Sequence, residues 1–133
     1  MSAIASPFLR KVLALDAVAS GATGVLLAFG AGPLSGLLGL SPMLMRPAGL
    51  FLAPYALLVA WMASRQSLPR GAVWAVVIAN AVWVIESVIL IAAGWVQPTL
   101  LGALFICAQA AVVATFGLLQ FAALRHNRSV AAI

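Results

Sequence analysis

Apolar residues run along this chain in four long, nearly unbroken stretches, at 12–31, 47–63, 72–96 and 99–124. A helix needs about 20 apolar residues to cross a hydrocarbon core of roughly 30 Å. Lipid offers a bare backbone no hydrogen-bond partner, so each stretch is expected to be helical. None alternates polar and apolar positions as the strands of a membrane barrel do. The predicted fold is all-α, a four-helix up-down transmembrane bundle forming one integral-membrane domain.

The breaks agree with that division. Gly30, Gly32 and Pro33 close the first stretch; Ser41-Pro42 and Arg46-Pro47 precede the second, where proline suits a first helical turn. Ser67 to Gly71 is a short turn before the third stretch. Gln97-Pro98 makes a tight turn before the fourth, so the last two helices are expected to be antiparallel neighbours. The segment 32–45 is apolar but broken by glycine and proline, and too short to span. It reads as an interfacial turn or short helix on the bundle, either a surface loop or a cap over a cavity mouth.

Composition removes the soluble alternative. The chain has 133 residues, 65% hydrophobic and 7% charged, with a mean hydropathy of +1.20. Soluble domains are about 45–50% apolar and about 25% charged. The basic flank of the first stretch resembles a signal peptide, but its apolar run exceeds the usual h-region of about 7–15 residues, so a retained helix is expected.

Charge orients the bundle. Of seven Lys/Arg residues, Arg10, Lys11, Arg65, Arg70, Arg125 and Arg128 fall at one set of helix ends. Only Arg46 falls at the other. Short loops rich in Lys/Arg stay cytoplasmic during insertion, which predicts cytoplasmic N- and C-termini and residence in a bacterial inner (plasma) membrane. The same pattern accounts for the net charge of +5 without nucleic acid. The lipid bilayer is the expected partner.

Candidate chemistry is sparse. One cysteine, Cys107, and one histidine, His126, cannot build a disulfide or a metal cluster. Cys107, inside an apolar run, is expected to be buried packing. No nucleophile–base set and no phosphate loop is present, so no enzyme activity, metal or cofactor is expected. The two carboxylates, Asp16 and Glu86, both lie inside predicted spans. A charge at mid-bilayer costs about 2.5–3.5 kcal/mol on insertion scales, which makes each a functional candidate.

Counting residues from the helix ends gives two polar tiers. The outer one takes Thr23, Tyr55, Glu86 and Gln109, one from each helix, with Arg46 above Glu86 and within reach of it. The inner one takes Asp16, Asn80 and Gln120. These residues other than Gln120, with Glu86 as the titrating group, form the candidate solute site. Trp83 at mid-depth reads as a core aromatic or a wall for a flat ligand. A weak internal repeat aligns Asp16-Ala17-Val18 with Asn80-Ala81-Val82, as though a two-helix hairpin had been duplicated in parallel orientation. Ser20, Gly24 and Ala28 form a small-residue stripe that suits close helix packing, within the bundle or between copies.

Two functions fit these residues. The first is a non-enzymatic accessory or scaffold subunit that packs as a homo-oligomer or within a larger membrane complex. The second is a small proton-coupled transporter or channel for a cationic or hydrophobic solute, centred on Glu86. A cavity at Thr23, Tyr55, Glu86 and Gln109 separates them: transport needs it, and a scaffold needs dry packing.

Overall fold

Five helices account for nearly all of residues 3–132, the part that the computed structural model describes, with side chains described through His126. They are α1 (Pro7–Phe29), α2 (Ala31–Leu38), α3 (Pro42–Ala63), α4 (Arg70–Ala92) and α5 (Leu100–Ala132). Two two-residue strands, β1 (Ala3–Ile4) and β2 (Leu68–Pro69), pair antiparallel and tie the chain start to the α3–α4 link. Four of the helices are long and apolar enough to cross a membrane: Pro7–Phe29, Pro42–Ala63, Arg70–Ala92 and Leu100–His126. Their outward faces carry large apolar side chains, among them Phe29, Met43, Leu57 and Leu100. A small multi-pass membrane protein has this surface.

Local capping moves the helix ends away from the apolar boundaries. Ser6 accepts a hydrogen bond from the Leu9 amide at 3.1 Å, with Pro7 at the first helical position, so α1 starts ahead of Arg10 and Lys11. Ser41 does the same for α3, accepting from the Met43 amide with Pro42 behind it. The second long helix therefore begins five residues before the expected 47, and Pro47 lies within it. Gly94 ends α4 short of the expected 96. Its φ of 72° is left-handed, the Gly94 amide donates to Ile91 and the Trp95 amide donates to Leu90, closing the last turn in a Schellman motif.

The segment expected as an interfacial turn or short helix is α2, and it is pinned to α5. The Thr99 amide donates to the Leu38 carbonyl at 3.0 Å, and the Thr99 hydroxyl donates to Leu37 at 2.7 Å. That hydroxyl also accepts from the Gly102 amide at 3.1 Å and so caps α5. Gly102 permits the approach, since a Cβ there would strike the Leu38 carbonyl.

The helices associate as two pairs. α1 lies along α3 and α4 along α5, whereas α3 and α4 barely touch through their backbones. The first pair is the closer. A Cβ on Gly24 would come within 3.0 Å of Leu52 Cβ, and one on Gly49 within 2.5 Å of the Gly24 carbonyl. The small-residue stripe of the first helix is thus used against α3.

Apolar packing concentrates at the two ends. One cluster holds Leu9, Leu13, Val59, Met62, Val73 and Leu124, with Ile4 and Leu68 from the strand pair. The other holds Leu27, Ala31, Leu38, Met45, Leu52 and Ile106. Arg10 Nε donates to the Ala63 carbonyl and Arg70 Nη2 to the Leu124 carbonyl, so both sit at the end closed by the first cluster. Arg65 lies 5.2 Å from the Trp61 ring, and Arg125 lies 5.8 Å from the Phe121 ring. The side chain of Arg128 falls outside the described residues. Cys107 is exposed on the outer face of α5, contrary to the burial expected from its apolar surroundings. An outward position in an apolar helix is as hydrophobic in sequence as an inward one, because lipid replaces water outside.

Candidate functional site

Asp16 is the most enclosed charge-bearing group, 1% exposed, and side chains from all four long helices meet it. Ser20, one turn along α1, donates to Oδ1 at 3.0 Å. Gln120 Nε2 from α5 and Asn80 Nδ2 from α4 donate to Oδ2 at 2.9 Å and 3.2 Å. The Tyr55 hydroxyl from α3 lies 3.3 Å from Oδ2 and 2.9 Å from Asn80 Oδ1. It has one proton for two acceptors, and the shorter contact favours Asn80. Asn80 Nδ2 also donates to Gln120 Oε1 at 2.8 Å. Every buried side-chain nitrogen and oxygen among the described residues has a hydrogen-bond partner, as buried polar groups require.

The expected inner tier of Asp16, Asn80 and Gln120 is therefore one hydrogen-bonded cluster. Asp16 and Asn80, equivalent in the weak repeat, bond directly across a separation of 64 residues. Tyr55 belongs here and not in the outer tier. Counting its depth from 47 places it too near the outer face, because Ser41 and Pro42 start the helix five residues earlier. At 1.5 Å per residue that moves Tyr55 about 7.5 Å deeper. Ser20, which the sequence offers only as a small packing residue, is the fifth member. Its place one helical turn beyond the acid, at i+4, is the signal that could have found it.

Above this cluster the paired helices part and leave space. An inner cavity of about 400 Å³ is bounded below by Ser20, Tyr55 and Asn80. An outer cavity of about 660 Å³ runs on to Glu86 and Ser87, with Leu40, Met43 and Leu44 from the α2–α3 region on its wall. Thr23, Phe51, Ala79, Trp83, Phe105 and Gln109 line both, so the two adjoin. The segment between the first two long helices thus contributes to the cavity wall.

The wall is aromatic and mostly apolar. Phe51 stacks on Tyr55 with ring centroids 6.4 Å apart, and on Trp83 at 6.3 Å with the planes 11° apart. The Phe51–Trp83 contact spans the gap between α3 and α4. Trp83 is held in turn: its Nε1 donates to Gln109 Oε1 at 2.6 Å, and Gln109 Nε2 donates to Ser87 Oγ at 3.0 Å. Counting along the sequence places Gln109 at this depth. It does not identify Trp83 and Ser87 as its partners, because the rotation of α4 against α5 is a tertiary quantity.

Of the other expected outer-tier residues, Thr23 lines the cavity and Glu86 lies exposed at its rim. Arg46 is exposed, and no ion pair joins it to Glu86 among the described residues. The structure therefore does not form the Arg46–Glu86 contact that helix-end counting placed within reach: with α3 starting at Pro42, Arg46 is a turn inside the helix and faces outward. No group of three or more His, Cys, Asp or Glu residues that could hold a metal occurs among the described residues. No protein family, curated protein or solved structure matches the chain.

Proposed function

We propose that this chain is a small inner-membrane protein that admits a hydrophobic small molecule between its two helix pairs and carries it toward the Asp16 cluster. One observation carries the reading: two adjoining cavities occupy the space from the Glu86 rim to the floor made by Ser20, Tyr55 and Asn80. Each volume, about 400 and about 660 Å³, falls in the range of about 300–1,000 Å³ typical of small-molecule sites. A subunit serving only as a scaffold has no use for such a space. Gly24 and Ala28 of the small-residue stripe lie against α3 and Ser20 faces the cavity, so the stripe does not favour contact with another copy.

In this reading the four long helices run up-down, both termini are cytoplasmic, and the cavity opens toward the opposite side. The grouping of Arg10, Arg65, Arg70 and Arg125 at the closed end supports that orientation. Asp16 replaces Glu86 as the buried titratable group, and Glu86 stands at the entrance.

Ala79 lines both parts of the cavity and tests the proposal. Ala79→Leu adds a side chain where the two parts join. In lipid nanodiscs, a neutral aromatic probe such as neopentylbenzene should change the tryptophan fluorescence of the parent protein saturably. The variant should lose that response while keeping its unfolding temperature. An equal response from both proteins overturns the proposal.

A further inference from the structure

Among the described residues, the cavity has acids at both ends and no base on its walls. Asp16 lies directly behind the floor, bonded to Ser20, Tyr55 and Asn80, and Glu86 lies at the rim. These are the only two carboxylates among the side chains of the sequence. None of the six Lys/Arg residues whose side chains are described lines either part of the cavity. The donors around Asp16 are all neutral, so an ionised Asp16 keeps an uncompensated negative charge in a largely apolar interior. Such a charge is costly unless a cation approaches it. Between the two acids stand the stacked rings of Tyr55, Phe51 and Trp83. Aromatic faces attract cations, strongly so where water is excluded.

Resting on the proposed solute cavity, we infer that its occupant is an organic monocation with an apolar body, an ammonium compound whose charged head lies against Ser20 and Tyr55 with Asp16 as counter-charge. The apolar body occupies the space along Thr23, Ala79 and Phe105. The exposed Glu86 raises the local concentration of cations at the entrance. An anionic solute finds no basic group here among the described residues and meets two carboxylates.

Three probes of nearly one shape test the assignment. Benzyltrimethylammonium and neopentylbenzene differ by a quaternary nitrogen in place of a carbon, and phenylmethanesulfonate supplies the opposite charge. Binding to the protein in nanodiscs is followed by calorimetry, with empty nanodiscs as the blank. The cation should bind saturably and the sulfonate should not. Asp16→Asn should weaken the cation about tenfold and leave the neutral probe within about twofold. Glu86→Gln should have a smaller effect on the cation than Asp16→Asn.

Sulfonate binding as tight as the cation's overturns the inference, as does a cation affinity unmoved by Asp16→Asn or lowered more by Glu86→Gln. If the neutral probe binds in those cases, the solute cavity stands and only its charge preference falls. If none of the probes binds, both readings fall. Should Asp16→Asn not fold, the charge series on the unaltered protein decides alone.

Discussion

Asn80 joins more of the polar cluster than any other neutral residue. It donates to Asp16 and Gln120 and receives the Tyr55 proton, touching three helices besides its own. Asn80→Leu would leave Gln120 Oε1 without its donor and the Tyr55 hydroxyl with only its longer contact to Asp16. The cost of such an unpaired buried group is about 1–3 kcal/mol. The expected result is a lower unfolding temperature in detergent. Asn80→Asp places a second carboxylate beside Asp16 and should lower the unfolding temperature as well, since like charges oppose one another.

Side-chain type alone makes Asp16, Asn80 and Gln120 stand out in the sequence, because polar groups in apolar helices demand partners. Which of them meets Tyr55 is not legible there. That depends on Ser41 and Pro42, two residues whose capping role the hydrophobic pattern does not record. Trp83 illustrates the same limit. Its indole needs an acceptor, but only the packing of α4 on α5 selects Gln109.

Elements meet closely at two glycine contacts. Gly49 against Gly24 joins α1 to α3, and Gly102 against Leu38 joins α2 to α5. Gly49→Val should separate the first pair, with the cost of about 1–3 kcal/mol usual for overpacked sites. Thermal unfolding measures it. Gly102→Val should leave the four long helices in place and free α2, since the clash is with the Leu38 carbonyl at its end and with the Pro98 ring beside it. The readout is faster amide exchange at Gly39 and Thr99, whose amides donate to Ser35 and Leu38. The glycine positions are visible in sequence as small residues, but their partners come from helix crossings that local pattern does not encode.

For the molecule as a whole, the asymmetry is between an end that carries Arg10, Arg65, Arg70 and Arg125 and an apolar end where Glu86 lines the outer cavity. Ile4 and Leu68, each 2% exposed, complete the closed end through the short strand pair. Reporter fusions at the two termini should give the same sidedness, with both on the cytoplasmic side. A result placing the termini on opposite sides removes the up-down arrangement, and with it the proposed direction of the cavity.

Four long apolar stretches, their helical state and the uneven distribution of basic residues follow from sequence alone, because solvent type and backbone hydrogen bonding act on composition and length. The grouping of Tyr55 with Asp16, the space between the helix pairs and the outward turn of Arg46 and Glu86 are decided by tertiary structure. Those features depend on helix starts, rotations and crossings, set by caps and glycine contacts distributed over the whole chain. A lipid-facing residue and a cavity-facing residue look alike in sequence, since both are apolar. Only the folded arrangement separates them.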